Sequence, residues 1–190
     1  MHGVAISGKA GAGKNAFALE IQRVLALRGV QSVSVGFADA LKEDVKRLYG
    51  LQKGDPGCRE RHLEHGHGMR QACPDYWIRR LAKQTGSLTP LGLIPLVNDV
   101  RYKNEMRWAQ ASDFLAVRVD ATAMDRGYVL YQRGEDVEFA HSDHPTETEL
   151  DEWAFDLRFW NPHGDNGSAL SHYAVRVADR VMGQETLLSA

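Results

Sequence analysis

The residues whose types and spacing best suit chemistry are Gly8-Lys9-Ala10-Gly11-Ala12-Gly13-Lys14-Asn15. They fit the Gly-x4-Gly-Lys part of the Walker A pattern. Its glycines let the backbone turn tightly and aim several N–H groups at one phosphate. A helix starting there adds the partial positive charge of its N-terminus. Lys14 then reaches the β- and γ-phosphates of a nucleotide, so Gly8 to Ala16 is the candidate triphosphate-binding segment. One position departs from the pattern. The motif has Ser or Thr after the lysine, because that hydroxyl ligates Mg²⁺; here Asn15 stands there. Two roles are open to Asn15: its carboxamide oxygen can ligate the metal or a bound water, or it caps the helix.

The motif works only between a strand and a helix, and the flanking residues supply both. His2 to Ser7 is short and mostly apolar, as a buried parallel strand is. From Lys14 to Arg28, Phe17, Leu19, Ile21, Val24, Leu25 and Leu27 recur at roughly helical spacing, and Gly29 stops the helix. A chance glycine-rich turn has no need of that context. Val33 to Phe37 reads as a second strand and Ala38 to Tyr49 as a helix with Leu41, Val45 and Leu48 on one face. Gly54 to Gly68 is polar and rich in Gly and His, and reads as an exposed insert. Pro74 to Gln84 reads as a helix with Ile78 and Leu81 inward. Leu93 to Val97, Phe114 to Val119 and Phe155 to Trp160 read as strands, Tyr102 to Ala111 and Ser168 to Met182 as helices. Asp120 to Thr148 reads as irregular.

This alternation predicts a single α/β domain, with a mostly parallel sheet and helices on both faces. The two irregular stretches are then insertions at the rim, where lids and binding loops occur. Length and composition agree: 190 residues, 43% hydrophobic and 25% charged, are ordinary for a globular chain with a sizeable core. A net charge of −2 and no basic stripe argue against nucleic-acid binding. No apolar run reaches the ~18 residues of a membrane span, and Lys9 and Lys14 interrupt the N-terminal one. Cys58 and Cys73 lack CxxC spacing and suit free thiols in a reducing cytosol, so the chain reads as cytoplasmic.

A phosphate loop is shared by ATPases, GTPases, kinases and motors, and four further stretches choose among them. They are Gly36-Phe37-Ala38-Asp39-Ala40-Leu41-Lys42; Gly66 to Arg70 with Pro74-Asp75-Tyr76-Trp77; Asn98-Asp99-Val100-Arg101-Tyr102-Lys103-Asn104-Glu105; and His144-Pro145-Thr146-Glu147. In this order they resemble the deoxynucleoside monophosphate kinases of bacteriophages, with their F-A-D-x-L-K-like turn, P-D-x-W helix, D-V-R-x-x-N-E turn and H-P-S-E-like segment. Thr146 replaces the serine. The resemblance runs from the first strand to about Trp160. It implies a three-layer P-loop kinase fold with a core of about residues 1–53, 85–119 and 150–190, a monophosphate-binding insert at about 54–84 and a lid at about 120–148. It implies ATP and Mg²⁺ as co-substrates and a deoxynucleoside monophosphate as acceptor. Animal-type phosphomevalonate kinases look similar in several of these places.

The chemistry of the residues is consistent with phosphoryl transfer, which needs positioning and positive charge more than covalent help. Lys9, Lys42, Arg70 and Arg101 are candidate cations for the acceptor phosphate, and Phe37 and Asp39 lie in the turn after the second strand. Asp99 can hold Mg²⁺ through a water, or serve as a turn or helix-cap carboxylate paired with Arg101. Arg126 and Arg133 lie in the lid segment, where closure can bring an arginine onto the γ-phosphate; the plainer reading is solvated surface arginines. Arg118 is a further candidate. Tyr76 can stack on the acceptor base or pack; Trp77 reads as packing. Glu147 contacts the acceptor, or Thr146 and Glu149 form a capping pair.

Other clusters carry less. His62, His65 and His67 around Glu64 lack the second ligand set of a structural zinc site, and His141 and His144 around Asp143 are no better. No serine sits at a nucleophile turn. The functional alternatives are another small-molecule P-loop kinase, phosphomevalonate kinase included, or a nucleotide-binding module without catalysis, which Asn15 supports. The acceptor base and the choice between monomer and homodimer stay open.

Overall fold

The computed structural model describes residues 1–52, 54–162 and 167–184. Five strands, β1 (Gly3–Ser7), β2 (Ser32–Val35), β3 (Ile94–Val100), β4 (Phe114–Asp120) and β5 (Leu157–Trp160), form one sheet in the order β2-β3-β1-β4-β5. Every pairing in it is parallel. Each strand is followed, directly or after an insertion, by helix: α1 (Lys14–Leu27), α2 (Phe37–Tyr49), α3 (Cys58–Ala72), α4 (Tyr76–Leu88), α5 (Lys103–Ala111), α6 (Ala123–Gln132), α7 (Pro145–Thr148) and α8 (Ser168–Val181). Short 3₁₀ turns run over Thr89–Leu91 and Val137–His141.

The period of two along each strand sorts the core into two layers. Val4, Ile6, Leu96, Leu115, Val117 and Val119 face α1 and α8, where they meet Phe17, Ile21, Leu25 and Val177. Ala5, Val97 and Ala116 face the other way, against Phe37, Trp77, Ile78, Leu81 and Met106. Small strand residues on this second face leave room for the aromatic side chains of α2 and α4. The expected α/β class is the observed one, with the sheet wholly rather than mostly parallel.

Two segments expected to be irregular are helical. Gly54–Gly68 contains most of α3. Its inward stripe is Cys58, His62, His65, Gly66 and Met69. That spacing is helical, but the residues are too weakly apolar to announce a buried face. Gly66 is buried there, so close to α2 that a Cβ would stand 3.2 Å from Leu41 Cδ2, and its carbonyl accepts the Trp77 indole N–H at 3.3 Å. Segment 120–148 contains α6, capped by the Thr122 side chain, which accepts from Asp125 N at 2.9 Å. Its pattern is inverted: Arg126 and Leu130 are buried, while Met124, Tyr128 and Tyr131 are exposed. Boundaries also moved at β3, which extends to Val100 and so contains Asp99. No helix among the described residues is long and apolar enough to cross a membrane.

Candidate active site

The loop between β1 and α1 sits at the C-terminal edge of the sheet, at its central strand. Gly13 (φ 97°) ends the turn and Lys14 begins the helix, so the first amides of α1 point into the loop. Lys14 is buried and folds back on this loop, donating from Nζ to Gly8 O at 2.8 Å and Lys9 O at 2.9 Å. Burial, then the charge of Arg101, holds its pKa well below the ordinary lysine range. Asn161, which sequence reading missed, donates to Ala12 O at 3.0 Å and ties the loop to the end of β5. Gly11 (φ 77°) lies under α6: a Cβ there would stand 2.6 Å from Arg126 O.

In front of the loop opens a cleft of about 310 Å³. Gly11, Gly13, Lys14 and Asn15 form one wall; Asp39 and Lys42 from α2, Asn98, Asp99 and Arg101 from β3 and its end, and Arg133 after α6 complete it. Ser34 and Glu135, not singled out in the sequence, also line it. Arg133 is exposed and has no ion-pair partner among the described residues. Lys42 pairs with Asp39 at 2.8 Å on the exposed face of α2.

Asp99 lies inside β3 and its carboxylate accepts Phe37 N at 2.9 Å and Ala38 N at 2.8 Å. It therefore caps α2, the helix-cap role given above as an alternative, but without an ion pair to Arg101 among the described residues. Gly36 makes this possible, since a Cβ would stand 2.8 Å from Asp99 Oδ2. Burial pushes the Asp99 pKa up, and the two amides pull it down. Asn15 Oδ1 accepts from Asn98 Nδ2 at 3.3 Å, so its carboxamide lies across the cleft floor rather than on the helix end. Oxygen donors from Asn15 and Asp99 are of the hard kind that Mg²⁺ takes, and both face this cleft.

Arg101 points at the loop through Glu147. Its Nη1 donates to Glu147 Oε1 at 2.6 Å and to Thr146 O at 3.2 Å, while Glu147 Oε2 accepts Ala10 N at 2.6 Å. Glu147 is buried against the phosphate loop, and the expected Thr146–Glu149 capping pair does not form. His144 caps α7, its Nδ1 accepting from Thr146 N at 3.2 Å, while Glu149 accepts Lys103 N at 2.7 Å.

Several sequence candidates do not line this cleft. Arg70 donates to the buried Glu105 at 3.3 Å and lies 4.6 Å over the Tyr102 ring. Glu105 also accepts Arg101 N at 2.9 Å and Tyr102 N at 3.2 Å; burial pushes its carboxyl up to about 7. Trp77 and Phe37 are core residues. Tyr76 donates its hydroxyl to Asp44 at 3.4 Å, beside Arg80, and stacks edge-on with Trp77. Ala12 is buried in the loop and Ala16 is exposed on α1. Behind the loop lies a second cavity of about 340 Å³, which takes Lys9, Arg118 and Arg126. There Lys9 pairs with Asp151 at 2.8 Å, and Arg118 with Asp151 at 2.6 Å, Asp120 at 3.2 Å and Ser7 Oγ at 3.2 Å. Arg126 donates to Ala140 O at 2.5 Å, and its Nε and Nη1 have no partner among the described residues. Among the described residues no three His, Cys, Asp or Glu converge as metal ligands. His62 instead sets Nδ1 2.7 Å from Cys58 O, within α3, and both cysteines are free.

No family model and no curated protein matches the chain. Solved structures do. The chain is similar to the APS kinase CysC of Mycobacterium tuberculosis in complex with AMPPNP and APS, at 19% identity and TM-score 0.54, covering 95% of this chain and 98% of that one. It is also similar to the tunicamycin resistance protein of Deinococcus radiodurans, at 16% identity and TM-score 0.53, covering 94% of each chain. At such identities the likeness is one of fold: the wholly parallel sheet with its flanking helices, of the α/β class expected from the sequence, is similar in fold to the APS kinase.

Proposed function

We propose that this chain transfers the γ-phosphate of ATP to a deoxynucleoside 5′-monophosphate, giving the diphosphate and ADP. The observation that carries this reading is the convergence on one cleft of Lys14, Arg101, Arg133 and Lys42 around the phosphate loop. Phosphoryl transfer places its charge on the equatorial oxygens of the moving group, so fixed cations on several sides lower its barrier. In this reading Lys14 releases the carbonyls of Gly8 and Lys9 and takes the β- and γ-phosphates. Arg133, a cation next to α6 with no ion pair among the described residues, moves onto the transferred group as the lid closes, and Lys42 and Arg101 hold the acceptor phosphate. Mg²⁺ would be held by Asn15, with Asp99 through water, and would neutralise charge on the β- and γ-oxygens. Near neutral pH a monophosphate acceptor is largely dianionic and has no proton to lose as it attacks, so no general base is required.

A second reading, transfer to another small molecule, has one observation in its favour. No described residue lining the cleft is aromatic, and Tyr76 packs away from it. A coupled assay separates the two: the protein is given ATP and Mg²⁺ with each deoxynucleoside and ribonucleoside monophosphate, phosphomevalonate and adenylyl sulfate. The expected result is transfer to at least one deoxynucleoside monophosphate. Absence of that transfer, with transfer to another acceptor, replaces the leading reading by the second. Cytoplasmic location and any homodimer belong to the same proposal and are tested by fractionation and by light scattering.

A further inference from the structure

We infer that Glu147 determines specificity at the nucleotide site: its carboxylate stands in for a terminal phosphate and yields only to a ligand that carries one. The inference rests on the phosphate-loop reading above. Ala10 N and Arg101 Nη1 each reach a different oxygen of this carboxylate at 2.6 Å. Both residues line the cleft facing Asp39 and Lys42, so Glu147 stands where the phosphate loop meets the acceptor side. That is the end of a triphosphate, not its middle.

The surroundings of Glu147 are those of an anion site rather than of an ordinary ion pair. Its side chain is 1% exposed, so the carboxylate has exchanged water for one amide and one guanidinium. Lys14 and Arg126 also feel its charge, which opposes the downward pull of burial on both. Arg126 keeps two buried nitrogens, Nε and Nη1, without a partner among the described residues. Several cations thus surround one carboxylate that brings a single negative charge. A γ-phosphate brings more charge and three acceptor oxygens to the same place. It cannot share Ala10 N with Glu147, so its arrival must expel the carboxylate and with it α7. A diphosphate does not reach that point and leaves Glu147 seated.

The cost of expelling Glu147 then falls on triphosphates alone. Titration calorimetry on the full chain with Mg²⁺ tests this, using a non-hydrolysable ATP analogue and ADP on wild type and Glu147→Gln. The amide keeps the shape but not the charge. The variant is expected to bind the analogue about tenfold more tightly and ADP within about twofold of wild type. Equal gains for both ligands, or no gain or a loss for the analogue, overturn the inference. Hydrogen exchange on wild type is a second measurement that needs no variant. The analogue, and not ADP, is expected to speed exchange over residues 145–149; slower or unchanged exchange there overturns the inference. If wild type binds neither nucleotide, the phosphate-loop reading fails and this inference fails with it. Binding without the selective gain removes only the role of Glu147.

Discussion

The two cavities that flank the phosphate loop carry the same formal charges and differ in how those charges are used. The front cleft has Lys14, Lys42, Arg101 and Arg133 against Asp39, Asp99 and Glu135. The rear cavity has Lys9, Arg118, Arg126 and Arg158 against Asp120, Asp151 and Glu152. In the rear, Asp151 binds both Lys9 and Arg118, and Asp120 binds both Arg118 and Arg158. In front, Lys42 and Arg101 hold Asp39 and Glu147, but Asp99 is spent on backbone amides, Lys14 rests on carbonyls and Arg133 is unpaired among the described residues; the rear has its own exception in Arg126, whose side chain donates to Ala140 O. Charge counts therefore do not locate a phosphate site. On the proposed reading, what marks it is Lys14 and Arg133, cations whose partners are weak enough to be exchanged for a ligand.

Substitutions can break this contrast. Lys14→Ala removes the buried amine at the loop and is expected to lower kcat/KM by about 10³-fold or more, measured in the coupled assay. Arg133→Ala should lower kcat by about 10²-fold with little change in melting temperature, since the side chain is exposed and has no ion pair among the described residues. Arg118→Ala should do the reverse. It leaves Asp151 and Asp120 short of a buried partner, so the melting temperature falls by several degrees, of the order expected for about 2 kcal/mol or more. If Arg133 proves structural and Arg118 catalytic, the assignment of front and rear is inverted. Asn15→Ala should raise the Mg²⁺ concentration for half-maximal activity several-fold, by about 1 kcal/mol of lost coordination. Activity indifferent to Mg²⁺ and excess chelator alike would remove the metal from the proposal.

An effect of another kind, on stability alone, concerns Glu105, which belongs to neither cavity. Its carboxyl is pushed up to about 7 from the ordinary 4.5. Between those values the native protein holds a proton that the unfolded chain has released. The contribution of Glu105 to stability is thus fully present below the lower value, falls as pH rises through this window and is lost above it. Melting temperatures measured from about pH 4.5 to 8 should show that fall, and Glu105→Gln should flatten it.

What could be read from the sequence follows from contrast between neighbours. The strands around the loop are buried on both faces, so they stand out as apolar runs against the charged helices. The loop itself is spelled by glycines that its geometry requires. The helix α3 turns Cys58, His62, Gly66 and Met69 inward, and α6 turns Arg126 inward while exposing Met124 and Tyr131. Neither pattern has the polarity difference that marks a buried face. Glu147 was visible as a candidate, but its seat on Ala10 was not. That contact joins residues 137 positions apart, and only the closed fold brings α7 over the loop.

The contact between Gly11 and α6 has a consequence for how this protein can vary. Every amino acid but glycine carries a Cβ, and at this position that atom would lie 2.6 Å from one backbone oxygen and 2.9 Å from one Cα. Neither is the end of a flexible side chain, so nothing nearby can rotate out of the way. Any missense change in this codon therefore wedges α6 off the loop, whatever its polarity or size. In a saturation library selected for activity, position 11 should tolerate none of the nineteen alternatives, while Gly68, which would meet nothing within 4 Å, should tolerate most.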